Sequence, residues 1–271
     1  MSSSFDLTGK TALITGGAGI LGRRFATALA EHGANVAIAD LRRTDVDGTV
    51  SDISRQLAID RLHAVTCDVA DPESVTSMVA EVTEKFGGVD ILINNAASKS
   101  SDLDAFFASF EEYSLRQWRE IMAVNIDGMF LVAQAVGRQM LKQGRGGSIV
   151  QVASIYAVVA PDQRIYEGSA YLGRQINTPA VYSTSKAAVI GLSRHLAAHW
   201  AGHRIRVNTL TPGGVESGQN EEFQRRYGER VPLGRMAHQD EMSGAVIFLS
   251  SDASSYVTGQ NLIVDGGLSS W

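Results

Sequence analysis

The stretch LITGGAGILG, residues 13–22, decides the fold class of this chain. Its four glycines are Gly16, Gly17, Gly19 and Gly22. The last three spell GxGxxG, the general dinucleotide fingerprint, and the first, third and fourth, preceded by a threonine, spell TGxxGxxG. Both patterns need a strand before the glycines and a helix after them. The apolar run KTALITG before them and the helical pattern from Ile20 onward supply that context.

Each glycine in such a turn has a physical task. One permits the tight turn, one lets the backbone approach a pyrophosphate, and one permits close packing of helix on strand. The start of the helix adds free N–H groups and a partial positive charge. We therefore expect the turn and the first helical residues to bind the cofactor phosphates: Gly16, Gly17, Gly19, Ile20, Leu21 and Gly22.

An acidic residue at the end of the second predicted strand indicates which dinucleotide binds. Asp40 lies 18 residues after Gly22, where a carboxylate accepts hydrogen bonds from the adenosine ribose hydroxyls. It would also repel a 2′-phosphate, so it favours NAD over NADP. Arg42 and Arg43 are the opposing signal, because either could bind that phosphate, although a solvated surface turn is the plainer interpretation.

Short apolar runs alternate with helical patterns along the whole chain. Strands are predicted at 10–16, 34–40, 63–69, 89–97, 147–154, 205–210 and 260–266, and helices at 20–32, 72–86, 115–143, 182–201 and 239–250. Asp71 and Pro72 suit the N-cap and first position of the second helix. The alternation predicts an α/β Rossmann-type fold, a doubly wound seven-stranded parallel sheet with helices on both faces. We expect one domain over 1–271.

Two long segments interrupt the alternation. Residues 155–181 and 212–238 are rich in glycine, proline and polar residues, and each follows a predicted strand. Long excursions inside a domain are usually functional, and open α/β sheets bind ligands at the carboxyl ends of their strands. We expect both insertions to border the substrate.

Bulk composition excludes several function classes. A net charge of −5 argues against nucleic-acid binding, which needs a basic surface. Cys67 is the single cysteine, so no internal disulfide forms, and its apolar context predicts a buried, inert thiol. His195, His199 and His203 recur every four residues, which is more typical of a helix face than of a metal site. We expect no metal and no membrane partner, and a cytoplasmic protein, because no basic, apolar leader or membrane-length apolar run was found.

The catalytic chemistry is indicated by VYSTSKAAVIGL, where Tyr182 and Lys186 lie four residues apart at the start of a helix. That spacing puts both side chains on one helix face. A phenol pKa of about 10 is too high for a base at neutral pH, and a nearby ammonium would lower it. Tyr182 could then exchange a proton with a substrate hydroxyl. Tyr166 and Tyr171 lack a lysine four residues later.

Taken together, these motifs resemble the short-chain dehydrogenase/reductase family over essentially the whole chain. The matching pieces, in order, are TGGAGILG, Asp40, CDV with Asp68, INNAA at 93–97, AVNIDG with Asn125, Ser154, YSTSK, PGGVES at 212–217 and the terminal VTGQNLIVDGG. Each is moderately specific alone, and their order and spacing make the resemblance strong.

The resemblance implies a role for each matching residue. Ser154 would hydrogen-bond the substrate oxygen, Tyr182 would be the acid/base, and Lys186 would bind the nicotinamide ribose and lower the tyrosine pKa. Asn125 would hold a water that relays protons to Lys186. The further cofactor contacts implied are Asp68 and Val69 at the adenine, Asn94 and Ala96 in the cleft, and Pro212, Gly213, Val215 and Ser217 near the nicotinamide amide. The family also implies a homotetramer.

Three positions depart from the family pattern. The glycine spacing resembles a longer branch that includes nucleotide-sugar epimerases and dehydratases, but only 85 residues follow Lys186, so the shorter, single-domain branch fits better. Ala97 replaces a usual glycine. Ser154 and Tyr182 are 28 residues apart, which is longer than the resemblance implies, so extra residues must loop out over the substrate.

The substrate is indicated only by the loops. We expect Ser154, Tyr156, Arg164 and Arg174 to contact it, the two arginines as ligands for a carboxylate or phosphate. The polar and aromatic insertion suits a hydroxylated ligand. PGGVESGQNEEF, RVPLGRMA and SSYVTGQNLIVDGG resemble dehydrogenases of bacterial surface-sugar biosynthesis, including flagellin-modification and nonulosonic-acid enzymes.

These observations predict an NAD-dependent oxidoreductase that interconverts a secondary alcohol and a ketone on a sugar-derived substrate. A gluconate-type sugar-acid dehydrogenase or a general ketoreductase is the neighbouring alternative. An epimerase or dehydratase with tightly bound NAD is a second alternative. A non-catalytic nucleotide-sensing protein on the same fold is a third, because fold does not fix function.

Overall fold

A seven-stranded parallel sheet forms the centre of the structure, which is a computed structural model describing residues 3–100 and 102–271. The strands are β1 Thr11–Thr15, β2 Asn35–Asp40, β3 Leu62–Thr66, β4 Ile91–Asn94, β5 Gly147–Val152, β6 Ala170–Tyr171, β7 Arg174–Gln175, β8 Ile205–Pro212 and β9 Asn261–Val264. The sheet order is β3-β2-β1-β4-β5-β8-β9, and β6 and β7 form a separate antiparallel hairpin.

Helices cover both faces of the sheet. They are α1 Ile20–Glu31, α2 Arg43–Leu57, α3 Pro72–Phe86, α4 Leu103–Phe106, α5 Leu115–Met122, α6 Met129–Gln143, α7 Ala180–Trp200, α8 Glu221–Gly228 and α9 Ser243–Ser250. Alternate residues of β1 face opposite cores: Ala12 and Ile14 pack with α1 and α9, and Leu13 packs with α3 and α6. The predicted doubly wound α/β fold is therefore confirmed.

The seven main strands were all predicted, but several end earlier than expected. β4 stops at Asn94 because the next two residues turn away from the sheet, and the N–H groups of Asn95 and Ala96 both donate to Thr15 Oγ1, at 3.1 and 3.2 Å. The capping of α3 is confirmed: Asp71 accepts hydrogen bonds from the N–H groups of Glu73 and Ser74.

Three helical features differ from the sequence prediction. α2 was not predicted at all, and Arg43 is its first residue rather than part of a surface turn. α8 lies inside the segment 212–238, which the sequence presented as a loop. The predicted helix 115–143 is interrupted by a π-helical stretch, Ala123–Gly128, which contains Asn125. Such π-bulges often occur at functional sites.

The segment Leu115–Gln143 is long and apolar enough, by length and composition alone, to cross a membrane, whereas the sequence was expected to contain no apolar run of membrane length. In the structure this segment is a core helix. Its buried residues, among them Val132, Val136 and Met140, pack into the cluster shared with α3 and the sheet.

Candidate active site

The glycine turn after β1 is shaped by contacts that only glycine allows. Gly16 has a φ of +62°, and a Cβ there would lie 2.8 Å from Ala96 Cα. A Cβ on Gly22 would lie 2.2 Å from the carbonyl oxygen of Gly16. Both positions therefore need glycine, the first for its conformation and the second for the close approach of α1 to the turn.

A cleft opens beside this turn at the carboxyl edge of the sheet. It lies where strand order reverses, between β1 and β4, which is where doubly wound sheets bind nucleotides. α1 begins at Ile20 with Gly19 as its N-cap and has no side-chain cap. A helix N-terminus of this kind is suited to bind a pyrophosphate.

The cleft lining includes eight of the residues predicted to bind cofactor: Gly16, Gly19, Ile20, Leu21, Asp40, Asp68, Val69 and Ala96. Gly17, Gly22 and Asn94 lie outside this lining, as do the predicted contacts on α7 and after β8, which are described below. Asn94 is buried and supports the cleft from below, because its side chain accepts from Thr15 Oγ1 at 3.1 Å and donates to the Met129 carbonyl at 2.9 Å. Cys67 and Asn95 line the cleft and were missed.

Asp40 is fixed at the end of β2. Its carboxylate accepts from the Ala18 N–H at 3.0 Å and from the Leu41 N–H at 2.8 Å, which directs it toward the glycine turn. Arg42 also lines the cleft, but its guanidinium pairs with Asp45 at 2.6 Å. This arrangement fits a nicotinamide–adenine dinucleotide. The glycine turn and the start of α1 would hold its phosphates, and the fixed Asp40 carboxylate would hold its ribose hydroxyls.

The cysteine beside this cleft is not a reactive group. Cys67 is buried, and burial raises the pKa of its thiol to about 11. Because the thiolate is the nucleophilic form, the thiol is inert at neutral pH.

A second cavity, of about 360 Å³, adjoins the cleft. Ser154, at the end of β5, and Tyr182, in the first turn of α7, both lie in its wall. Burial raises the pKa of Tyr182, and the hydrogen bond to the Ser154 side chain opposes that rise. The two hydroxyls therefore meet in the cavity wall, although they are 28 residues apart in the chain.

Lys186 lies one turn further along α7 and is 3 % exposed. Its ammonium donates to the Val152 carbonyl at 2.9 Å, two residues before Ser154. Burial lowers the pKa of Lys186 to about 8. The ammonium is therefore bound to a backbone oxygen at the end of β5. Its expected lowering of the Tyr182 pKa stays a prediction, because the causes acting on that pKa are burial, Ser154 and Tyr166.

Asn125 joins the cleft to the catalytic helix. Its Oδ1 accepts from the Ser98 N–H at 2.8 Å, and its Nδ2 donates to Ser185 Oγ at 3.2 Å. The side chain thus ties the segment after β4 to the residue that precedes Lys186. Its role as holder of a relay water stays a prediction.

The segment after β8 forms the next part of the cavity wall. Gly213, Val215 and Ser217 line the cavity, whereas Pro212 closes β8 and does not. The Gly214 N–H donates to the Tyr227 hydroxyl at 2.5 Å, so α8 holds this segment in place.

Residues of the segment 155–181 line the cavity, but the two arginines predicted to contact the substrate are not among them. Tyr156 lines the wall, whereas the lining does not include Arg164 or Arg174. Arg164 Nε donates to Asp162 at 2.8 Å, and Arg174 pairs with Asp104. The structure therefore does not bring these arginines to the substrate cavity, because acidic neighbours hold both guanidinium groups on the surface.

Several cavity residues were not among the four predicted substrate contacts. They are Lys99, Phe106, Phe107, Tyr166, Asn177, Thr178, Gln219, Asn220, Phe223 and Tyr227. Tyr166 lacks the lysine partner of a catalytic base, but it belongs to the polar, aromatic insertion expected to border a hydroxylated ligand. The aromatic residues could have been predicted from the sequence. A polar insertion needs apolar side chains to pack on, and the tyrosines and phenylalanines nearby were the candidates.

No metal is implied by this geometry. Within residues 3–100 and 102–271, no group of three His, Cys, Asp or Glu side chains is placed to hold an ion. His195 and His199 lie with their rings stacked, 6.0 Å apart, on α7.

The chain resembles known proteins over nearly its full length. A family model described as Enoyl-(Acyl carrier protein) reductase matches residues 16–269. A D-threitol dehydrogenase from Mycolicibacterium smegmatis is 38% identical over 97% of this chain and 94% of its own length.

Two solved structures are similar in both sequence and fold. One is a gluconate 5-dehydrogenase from Burkholderia cenocepacia in complex with NADP and tartrate, at 33% identity and a TM-score of 0.85, covering 99% of this chain and 98% of its own. The other is a short-chain dehydrogenase from Leptospira borgpetersenii with bound NAD+, at 32% identity and a TM-score of 0.85, covering 99% and 96%. With the Ser154–Tyr182 pair beside a dinucleotide cleft, these matches show that the chain belongs to the short-chain dehydrogenase/reductase family, as an oxidoreductase of CH–OH groups.

Proposed function

We propose that this enzyme interconverts a secondary alcohol and a ketone on a small polyhydroxylated substrate, using a nicotinamide–adenine dinucleotide. The observation that carries the proposal is that Ser154 and Tyr182 lie together in the wall of a cavity that adjoins the dinucleotide cleft.

The chain's own residues supply proton transfer and orientation. Ser154 donates a hydrogen bond to the substrate oxygen and stabilises the charge that develops there. Tyr182, as a phenolate, takes the proton from that oxygen during oxidation, and as a phenol it returns the proton during reduction. The Lys186 ammonium, bound to the Val152 carbonyl, supplies a positive charge at the end of β5. When bound, the nicotinamide accepts or supplies the hydride.

For the cofactor we propose NAD, with NADP less suited. The Asp40 carboxylate is held at the cleft by two backbone N–H groups and would repel a 2′-phosphate. Arg42 is paired with Asp45, which reduces its availability to such a phosphate.

The substrate class follows from the cavity. A volume of about 360 Å³ suits a ligand of a few carbon atoms, at the small end of known pockets. Hydroxyl and amide groups of Ser169, Asn177, Thr178 and Asn220 line it beside aromatic rings. This mixture suits a free polyol or its ketose, in agreement with the name of the D-threitol dehydrogenase described above.

A sugar acid is the second candidate, and one residue favours it. Lys99 lines both the cavity and the cleft, and it is the one charged side chain in the cavity lining over the described parts of the chain. An ammonium there would attract a carboxylate. Dehydrogenation in surface-sugar biosynthesis stays a narrower prediction, because the relatives described above are named for a polyol and for gluconate.

We further propose that the chain works as one cytoplasmic domain within a homotetramer. Apolar side chains that remain exposed on α5 and α6, Leu115, Phe130 and Leu141, support association through this helical face. Light scattering of the purified protein tests the assembly: a mass four times that of the chain is expected, and a monomer would contradict it.

A substrate panel tests the function. Purified enzyme is assayed for reduction of NAD and of NADP with D-threitol, xylitol, sorbitol and gluconate. We expect the fastest reduction with a polyol and NAD. Faster gluconate oxidation that is lost in Lys99→Gln would instead establish the sugar-acid alternative.

Two outcomes of the same panel would replace the proposal. Copurified NAD with substrate conversion and no net NADH would indicate an epimerase or dehydratase. Cofactor binding without turnover of any secondary alcohol or ketone would favour a nucleotide sensor.

A further inference from the structure

Three hydroxyl groups form a chain in the cavity wall that the proton transfer described above does not use. Tyr166 donates to the Tyr156 hydroxyl at 3.3 Å and shares a hydrogen bond of 2.5 Å with Thr178 Oγ1. All three residues line the cavity. All three belong to the segment 155–181: Tyr156 lies at its start, and Tyr166 and Thr178 lie further along it.

The chain of hydroxyls is held from outside the cavity. Gln163 clamps the Thr178 peptide, because its Nε2 donates to the Thr178 carbonyl at 2.8 Å and its Oε1 accepts from the Thr178 N–H at 3.2 Å. The Tyr166 ring packs on Phe223 of α8, with 5.3 Å between centroids. The hydroxyls therefore hold fixed positions without relying on a ligand.

A count of the hydroxyl hydrogens shows how many hydrogen bonds these three hydroxyl groups can donate to a ligand. Three hydroxyls carry three hydrogens, and two links use two of them, so one hydrogen remains to be donated. With Tyr166 donating to Tyr156, Thr178 donates to Tyr166, and the remaining hydrogen is on Tyr156. Burial raises the pKa of Tyr156, so its phenol keeps that hydrogen at neutral pH.

The residue that carries the free hydrogen shares the cavity wall with Ser154 and Tyr182. The Tyr156 N–H donates to Ser154 Oγ at 3.3 Å, so both residues belong to one turn. A substrate whose reacting oxygen contacts Ser154 therefore occupies the same cavity as the Tyr156 side chain.

We propose that the Tyr156 hydroxyl binds the substrate hydroxyl on the carbon next to the reacting one, and that Tyr166 and Thr178 are positioning residues that orient it. This inference rests on the proposed function and deepens it: the preferred substrates carry adjacent hydroxyl groups. The insertion then determines specificity by fixing the direction of one O–H bond.

The experiment compares variants on the polyol that the wild type oxidises fastest in the panel above. Tyr156→Phe, Tyr166→Phe and Thr178→Val each remove one hydroxyl. Each should raise KM about tenfold, the effect of one neutral hydrogen bond, with kcat changed less than about threefold. A hydrogen bond to a non-reacting hydroxyl stabilises the ground state and the transition state equally. Its loss therefore raises KM and leaves kcat nearly unchanged.

Two control variants separate orientation from loss of structure. Thr178→Ser keeps the hydroxyl and should restore KM to within about threefold of the wild type. Tyr113→Phe removes a buried phenol hydroxyl that does not line the cavity, and it should leave KM unchanged. Equal KM in Thr178→Ser and Thr178→Val would overturn the inference, as would a fall in kcat at constant KM.

A second readout tests the adjacent hydroxyl directly. The wild type should oxidise 2,3-butanediol at least about tenfold more efficiently than 2-butanol, which has the same carbon skeleton, and Tyr156→Phe should remove most of that preference. Equal efficiencies in the wild type would overturn this inference while leaving the proposed function intact. A wild type that oxidises no polyol overturns the proposed function, and this inference with it.

Discussion

The buried ammonium of Lys186 should make the stability of this protein depend on pH in a characteristic way. The side chain is 3 % exposed, and burial lowers its pKa from 10.5 to about 8. Replacement by methionine, Lys186→Met, removes the charge and keeps a long, unbranched side chain. The difference in unfolding free energy between wild type and variant then reports on this one group.

The sign follows from proton binding. Between pH 8 and 10.5 the unfolded chain holds a proton on Lys186 that the folded protein has lost. Unfolding free energy rises with pH wherever the unfolded state binds more protons, so the wild type gains stability across this window. Below pH 8 both states are charged and the destabilisation by burial is fully present; above pH 10.5 both are neutral and it is gone.

The magnitude can be worked from these two values. Integrating the difference in proton binding from pH 7 to 9.5 gives a gain of about 2 kcal/mol for the wild type relative to Lys186→Met. Loss of the hydrogen bond to the Val152 carbonyl shifts the variant's stability by a constant and leaves the slope unchanged.

Urea denaturation at fixed protein concentration, at half-unit steps from pH 7 to 9.5, measures the difference. Lys142→Met, which removes an exposed lysine from α6, is the matched control for the loss of one charge and should lack the rise. A wild-type-minus-Lys186→Met curve that is flat, or that falls with pH, would refute the buried, charged lysine as the physical basis of the site.

Three further substitutions test the cleft and the sheet. Asp40→Ala should raise the ratio of kcat/KM for NADP to that for NAD at least about tenfold, because the carboxylate that repels a 2′-phosphate is gone, and an unchanged ratio would contradict this. Gly22→Ala should lower the unfolding free energy in urea by about 3 kcal/mol or more, since its Cβ would lie 2.2 Å from the Gly16 carbonyl; stability within 1 kcal/mol would disprove the close packing. Asp90→Ala should lower the unfolding free energy by about 3 kcal/mol, because the buried carboxylate accepts hydrogen bonds from the Thr11 N–H at 3.0 Å and from Arg145 at 2.7 Å. Asp90→Asn keeps an acceptor and should lower the unfolding free energy by less. Equal losses in the two variants would argue against these hydrogen bonds.

Much of the fold could be predicted because buried parallel strands are continuous apolar runs. α2 was missed because its sequence, RTDVDGTVSDISRQL, is mostly polar and only Val46, Thr49 and Ile53 are buried. Their spacing was the available signal. The β6–β7 hairpin could not have been anticipated, because its turn places Leu172, as well as Gly173, at positive φ, and leucine rarely adopts that conformation.

Site residues could be predicted where a sequence motif specifies them. They could not be predicted where contacts in the folded structure decide which partner a side chain has. Tyr182 and Ser154 meet as expected, but the partner of Lys186 is a backbone carbonyl that no sequence pattern specifies. Arg164 was expected at the substrate because its charge suits an anion. It pairs instead with Asp162, two residues away, which is a local acidic partner that the sequence contained.

The measurement that bears most directly on the chemistry is the turnover of Tyr182→Phe. Its rate of NADH formation with a polyol should fall at least about 10³-fold, because the phenol hydroxyl that exchanges the proton is gone while the ring remains. NADH affinity, measured on the same sample by fluorescence, should stay within about threefold of the wild type, because the cleft is intact. A variant that binds NADH normally and retains more than a tenth of wild-type turnover would show that Tyr182 is not the acid/base.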